Sequence, residues 1–440
     1  MSFQAFMLRH FPGILKQANK ERVVLKRLRK AVDYAYKSKF YHKKLSKAGV
    51  KGSDIKSIKD FKEKVPLTNR TELVQSDPYD LLAVEPGSKC LIYSQTSGTT
   101  GGHVPIWVTK DELERTIDLA LCLPVFQKLL SSKDRVALCY PYTRTMAGRS
   151  ADLINQKAGV TIIPMGTRNN MYPPEEVADA LIRLRPTILG AAATDAFSYA
   201  NILLDQGVDP KKIGIKLIVS GAEPCADNRG DVLGRMYGAK FLSLLGQNEI
   251  GGAIPCEKNV LHIPSFVMFT ELYRKDGSEA DIGEKANSVV TPTWREAMPM
   301  LRYETGDVIM IEKNPCSCGL PLPTMKILGR KRTELTIGTK TYFPIELEDL
   351  LYQTDLNGVW YQIKLTKAGI FIKAEHRKKK DYARLAEEVK SNFESKLDAN
   401  VKVKIVPPGT LYDYRKIRPG KPLSRVVDEI AGKIEVLEGA

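Results

Sequence analysis

Disulfide bonding, membrane passage and secretion are what the composition first argues against. Seven cysteines among 440 residues do not make a disulfide scaffold. Cys90, Cys122, Cys139 and Cys225 lie in or beside apolar segments, where thiols are usually inert core groups. No apolar run reaches the about 20 residues that a membrane helix needs. The first ten residues lack the basic start, long apolar centre and small-residue cleavage site of a signal peptide. A cytoplasmic protein with no membrane partner is expected. Also missing are RNP, zinc-finger and basic-zipper patterns, internal repeats and low-complexity tracts.

What is present is a globular composition, 43% hydrophobic and 27% charged. The length predicts two or three domains. Basic residues outnumber acidic ones 67 to 51, a net charge of +16, which favours anionic partners such as nucleotides and coenzymes. Dense basic stretches at 20–30 and 377–380 read as solvated helix faces, so no nucleic acid partner is expected.

Along the chain, 1–50 reads as helical, with short helical pieces at 53–65 and another at 69–81 that Asn69 can cap. A helix kinked at Pro124 is predicted over 110–130. From 135 to 245, short apolar strands alternate with helices, which predicts a parallel sheet with helices on its faces. Ligands bind such sheets at the carboxyl ends of strands. Three polar, glycine-containing loops, at 94–102, 220–224 and 246–251, are placed there. From about 259 the texture turns to shorter β-like segments, with turns predicted at Asp276-Gly277, Ile282-Gly283 and Gly306-Asp307. A smaller β/α module follows Gly329-Arg330. The expected fold is therefore α/β: a large N-terminal domain (1–329) of mainly parallel sheets flanked by helices plus a β-rich portion, and a small mobile α+β C-terminal domain (330–440).

The loop 94–102 reads S-Q-T-S-G-T-T-G-G. Small hydroxyls, backbone N–H groups and glycines can wrap a phosphate chain. It is not a Walker loop, because no Gly-Lys-Ser/Thr closes it. Taken in order with S-G-A-E-P (220–224), G-Q-N-E (246–249), L-R-Y-E-T-G-D (301–307), G-R (329–330), Y-F-P-I-E-L-E (342–348) and G-K-P-L-S-R-V-V-D (420–428), it resembles the adenylate-forming superfamily. Within that superfamily the chain looks most like the phenylacetate-CoA ligase branch. A P-L-T-N-R-T-E-L segment at 66–73 belongs to the same resemblance.

The resemblance implies activation of a carboxylic acid by ATP through an acyl-adenylate, then transfer to CoA. It assigns Thr96, Ser97, Gly98, Thr99, Thr100 and Gly101 to the β- and γ-phosphates, with Thr100 in a catalytic role. Glu249 matches the Mg²⁺-binding carboxylate, with Gly246 and Asn248 beside it. Gly221, Ala222 and Glu223 match the adenine loop. Asp307 matches the ribose-binding carboxylate, and Arg330 a ribose- or phosphate-contacting arginine at a hinge. Lys421 matches the catalytic lysine that neutralises charge between carboxylate and α-phosphate. One departure stands out: the lysine usual at the end of the glycine loop is absent, and Gly102 and His103 follow Gly101.

Three thiolates and one imidazole make a common structural zinc set. Part of the branch resembles this, and Cys256, His262, Cys316 and Cys318 are assigned to it. Tyr140, Ala192 and Phe197 are expected to wall the acid pocket, for an aryl or medium-sized acid. An acyl carrier protein, an amine or a cofactor stands as an alternative acceptor to CoA, an inactive binding protein as a third reading, and a homodimer as an alternative to a monomer.

Overall fold

The computed structural model describes residues 5–6, 20–96, 102–166, 172–416 and 425–434. It divides into two compact units. The first is Met1–Leu130, Thr143–Ala158 and Leu245–Ile327; the second is Ser131–Tyr142, Gly159–Leu244 and Leu328–Ala440.

From residue 20, the described residues form four α-helices before the first strand: Lys20–Ala35 (α1), Lys39–Ala48 (α2), Ile58–Lys64 (α3) and Arg70–Gln75 (α4). The last three start on side-chain caps, where Ser38, Ser57 and Asn69 accept the N–H of Tyr41, Asp60 and Glu72. Next comes a hairpin of Leu91–Gln95 (β1) and Pro105–Thr109 (β2). The helix predicted over 110–130 is two helices, Lys110–Cys122 (α5) and Pro124–Leu129 (α6). Proline has no N–H to continue the first, so it opens the second.

The predicted alternation follows as Arg135–Cys139 (β3), Met146–Ala158 (α7), Thr161–Pro164 (β4), Pro174–Leu184 (α8), Ile188–Ala191 (β5), Ala193–Asp205 (α9), Leu217–Ser220 (β6), Asp227–Tyr237 (α10) and Lys240–Ser243 (β7). In the second unit these strands form a parallel sheet in the order β4-β3-β5-β6-β7. Its central strand β5 is buried at every residue, as a sheet covered on both faces requires. Helix α9 is buried continuously from Ala193 to Leu203, so it too is covered all round.

Short strands then take over: Gly246–Gln247 (β8), Gly251–Gly252 (β9), Ile254–Pro255 (β10), Leu261–His262 (β11), Met268–Tyr273 (β12), Ala286–Pro292 (β13), Tyr303–Ile311 (β14) and Thr324–Arg330 (β15). β8 and β9 form a hairpin of their own. The others make a six-stranded sheet in the order β10-β11-β15-β14-β13-β12. The C-terminal module opens with the hairpin Leu335–Ile337 (β16) and Lys340–Tyr342 (β17), then Pro344–Leu351 (α11). Tyr361–Thr366 (β18), Gly369–Glu375 (β19), Tyr382–Glu394 (α12), Val401–Val406 (β20), Val426–Asp428 (β21) and Lys433–Ile434 (β22) complete it. Its sheet runs β20-β19-β18-β21-β22.

The α/β class read from the sequence is the one observed. The second unit groups the C-terminal module with the parallel sheet: Phe197, Leu233, Leu347, Leu351 and Trp360 belong to one buried apolar cluster. No helix among the described residues is long and apolar enough to cross a membrane.

Two expectations are corrected. The loop after β1 does not leave a parallel strand, because among the described residues β1 pairs with β2 alone, in an antiparallel hairpin. The 246–251 segment follows the parallel strand β7 after Leu244 and Leu245 but folds into a hairpin of its own, whereas 220–224 directly ends β6. Nor is Gly306-Asp307 a turn. It lies inside β14, at a bulge: Asn287 pairs with Val308 while Val289 pairs with Glu304. Gly306 takes the required positive φ of 74°.

Candidate active site

In the first unit, the polar groups around the glycine loop converge on Arg70. Asn69 caps α4 and so makes Arg70 its first residue. From there the guanidinium donates to Thr96 Oγ1 at 3.3 Å and to the carbonyl of Gly102 at 2.7 Å. It therefore joins the two feet of the loop, and it lies 3.7 Å from Glu249 Oε1. Thr96 Oγ1 also accepts the N–H of Val104 at 3.0 Å, and His103 Nδ1 lies 2.7 Å from the Thr96 carbonyl. Ser97, Gly98, Thr99, Thr100, Gly101 and Lys421 lie outside the described residues.

Glu249 stands in the three-residue tip between β8 and β9. It is not a helix-start carboxylate. Arg295 donates to the carbonyls of Asn248 at 3.1 Å and Glu249 at 3.3 Å, which fixes the tip from behind. The side chain of Asn248 donates to the Gln95 carbonyl at 3.2 Å, tying the tip to β1. Glu249 is buried, and its Oε1 accepts from Tyr303 Oη at 3.3 Å. Tyr303 opens β14, which also carries Asp307. The Asp307 carboxylate accepts from the Gln247 amide, while its N–H donates to Thr305 Oγ1 at 3.0 Å. The motifs 246–249 and 301–307 are thus interlocked through Gln247–Asp307 and Glu249–Tyr303.

In the second unit, the turn after β6 puts Ala222 at φ 72°, left-handed backbone that an alanine rarely adopts. The Glu223 side chain does not follow the turn outward. It accepts from Thr194 N and Oγ1, both at 2.6 Å, inside the core. Burial alone would raise its pKa, but Arg425, Arg229 and Thr194 hold it below the usual carboxylate value. The carboxylate is therefore turned into the core, while Gly221 and Ala222 form the turn. Phe197 is fully buried, and its ring faces Arg229 at 5.2 Å and Tyr352 at 6.1 Å.

Tyr140 directly follows β3. Burial keeps its phenol protonated, and it donates to the Val219 carbonyl at 2.5 Å. Ala192 precedes α9 and is buried. Arg330 ends β15 and is half-buried, its carbonyl accepting from Thr333 Oγ1 at 2.8 Å.

The cysteine cluster is assembled in the first unit. One ligand atom from each of Cys256, His262, Cys316 and Cys318 lies within 4.8 Å of all the others. Cys256 Sγ and Cys316 Sγ are 3.9 Å apart, and Cys318 Sγ is 3.4 Å from His262 Nε2. A tetrahedral zinc with bonds of about 2.3 Å sets sulfurs about 3.8 Å apart, so the spacing fits. His262 Nδ1 lies 3.2 Å from the Leu322 carbonyl, which turns Nε2 toward the sulfurs. Burial lowers its pKa, favouring the neutral, ligating form. Backbone N–H groups of Lys258 and Leu320 point at Cys256 and Cys318, each at 3.4 Å, as donors to thiolates do.

Arg70 and Gln247 were missed by residue-level reasoning, although both lie within the quoted segments. The legible signal for Arg70 was the Asn69 cap, which fixes where α4 begins and hence which side chain faces the loop.

No protein-family model matches the chain. It is 25% identical over 421 residues to the phenylacetate-coenzyme A ligase of Thermus thermophilus, spanning 87% of this chain and 91% of the relative. It is 24% identical over 355 residues to the enzyme of that name from Escherichia coli, spanning 78% of each. Among solved structures, 2-hydroxyisobutyryl-CoA ligase in the postadenylation state superposes with a TM-score of 0.81 at 20% identity, covering 95% of this chain and 91% of that one. The fold is the one shared by acyl-CoA ligases of the adenylate-forming superfamily. Within that class, the sequence is similar to the phenylacetate-CoA ligases over most of its length.

Proposed function

We propose that the protein is an AMP-forming acid–CoA ligase for an aryl or medium-sized carboxylic acid. The observation that carries this reading is the interlocked Arg70–Glu249–Tyr303 and Gln247–Asp307 arrangement beside the feet of the glycine loop. It gathers one cation and two carboxylates, the kinds of group that bind ATP phosphate, a metal and ribose hydroxyls. The similarity to phenylacetate-CoA ligases supports the choice of acceptor.

A substrate carboxylate oxygen attacks the α-phosphorus of ATP, and the bond from that phosphorus to the bridging oxygen breaks. Pyrophosphate leaves and the acyl-adenylate remains. The CoA sulfur then attacks the acyl carbon, losing its proton, and AMP departs with the electron pair of the broken C–O bond. Such transfers need positioning and charge neutralisation more than covalent help. Arg70 and the loop hydroxyls hold the β- and γ-phosphates, and Asp307 takes the ribose hydroxyls. Glu249 would hold Mg²⁺, which neutralises phosphate charge when bound. Gly221 and Ala222 line the adenine, Tyr140 and Ala192 the acid, and Lys421 supplies the cation at the reacting oxygens. Residues 330–440 act as the lid that carries Lys421 and change position between the two half-reactions.

Pyrophosphate exchange with a panel of aryl and alkyl acids, with and without CoA, tests the reading. Acid-dependent exchange followed by thioester formation is expected. Exchange without thioester would move the acceptor to a carrier protein, an amine or a cofactor, and no exchange with any acid would defeat adenylation.

Four protein ligands leave zinc no open position, so the Cys256–His262–Cys316–Cys318 site is proposed as structural. Purified protein should contain close to one equivalent of zinc, and Cys316→Ser should lose it and melt lower. Metal analysis returning under about a tenth of an equivalent removes the assignment.

A further inference from the structure

The motifs at 220–224, 342–348 and 420–428 each contain a charged residue that the ligase chemistry leaves unused: Glu223, Glu348 and Arg425. In the second unit they meet. Glu348, on α11, accepts from Arg229 of α10 at 3.1 Å and from Arg425 at 3.3 Å, both on Oε1. The same oxygen accepts from Tyr361 Oη at 2.9 Å, and Oε2 accepts the N–H of Ala226 at 2.8 Å. Thr194 Oγ1 accepts from Arg229 at 3.1 Å and from Arg425, and donates to Glu223. Arg229 and Arg425 are both fully buried, and Glu348 is nearly so. Arg425 also stacks over Trp360, 4.3 Å from the ring centroid.

The charges are distributed in a particular way. The parallel-sheet layer contributes one acid and one base, Glu223 and Arg229, which lie 4.0 Å apart. The C-terminal module contributes one of each as well, Glu348 and Arg425, at 3.3 Å. A buried ion left without its partner is strongly destabilising. Here, separating the module from the sheet layer would leave two ion pairs instead of four stranded ions. The apolar contacts between the two layers are not directional. The cluster adds direction, because hydrogen bonds to forked guanidiniums hold in one register only.

We propose that Glu348 and Arg425 are positioning residues that register the C-terminal module on the sheet layer for acyl-adenylate formation and are dispensable for the thioester step. Arg425 stands four residues after Lys421 in the sequence. The proposal rests on the ligase reading above, in particular on a module that changes position between half-reactions.

The test separates those half-reactions in the full-length protein. In Arg425→Met and Glu348→Gln, acid-dependent pyrophosphate exchange should fall at least tenfold, while thioester formation from supplied acyl-adenylate and CoA stays within about twofold of wild type; Arg425→Lys should fall between. Parallel loss of both steps, or loss of neither, overturns the proposal. If Arg425→Met does not fold, the same partition is read from Glu348→Gln and Arg425→Lys. Hydrogen exchange keeps the proposal distinct from the ligase reading. Faster exchange over 344–351 in Glu348→Gln, with 188–191 unchanged, is expected whether or not any acid is activated, and uniform exchange in both segments refutes the registering role. A wild type without pyrophosphate exchange would instead remove the ligase reading and, with it, the catalytic part of the proposal.

Discussion

Glu249→Gln should lower acid-dependent pyrophosphate exchange by about 100-fold or more, with folding unchanged. The magnitude is that of deleting one preorganised electrostatic contact to a charged transition state. The substitution is nearly isosteric, and the hairpin tip that holds the residue is fixed through backbone carbonyls by Arg295, not through the carboxylate. The amide oxygen of the variant could still accept from Tyr303, so what disappears is the charge. Mg²⁺ binds carboxylate oxygens in preference to amides, and the variant should therefore also need more Mg²⁺ to reach half its maximal rate. Exchange within threefold of wild type, at the same Mg²⁺ dependence, would take Glu249 out of the site.

Arg302→Met should destabilise the first unit by about 3–5 kcal/mol without touching the chemistry directly. The residue belongs to the same L-R-Y-E-T-G-D motif as Asp307, yet its side chain points away from the site. It is buried, with Nε and Nη2 on the Glu271 carboxylate at 3.1 and 3.0 Å, and Nη1 on the carbonyls of Lys62 and Val65. Tyr273 Oη accepts from it at 2.8 Å and donates to Glu271 at 2.7 Å. Removing the guanidinium strands a buried carboxylate and two carbonyls. For a unit of this size the expected loss is about 6 °C or more in Tm, read by circular dichroism. Replacing Glu271 by Met in the same chain should recover part of it, because the unpaired charge is then gone. A single variant that melts like wild type would show that the network is not a source of stability.

The contrast between Glu249 and Arg302 explains what was legible in the sequence. Periodicity and turn chemistry located the helices and the parallel strands, because a strand buried on both faces must be apolar throughout and an amphipathic helix must repeat. Neither signal reports partners. β2 went unread because Pro105–Thr109 is a short apolar segment that could belong to any element, and without it the glycine loop was assigned to a parallel strand end. Glu223 was legible as a member of its motif, but whether a carboxylate turns outward or into a core depends on Arg229 and Arg425, the latter 202 positions later in the chain. The four residues of the proposed zinc site were readable because their chemistry is rare in a chain with so few cysteines and histidines. Arg70 was not singled out, because arginine is common and the Asn69 cap that sets its helix start is its one mark.

The hairpin that presents Glu249 closes on two residues that have no side chain to offer a ligand. Gly251 has φ 99°, and a Cβ on Gly252 would stand 2.2 Å from the Leu245 carbonyl. Neither position tolerates a side chain. A divergent relative that keeps G-Q-N-E but has lost either glycine would therefore retain the motif on paper while the carboxylate sat elsewhere in space. For recognising or redesigning chains of this type, the unit to keep is the seven residues from Gly246 to Gly252, and the acid at its centre is only the part proposed to meet the metal.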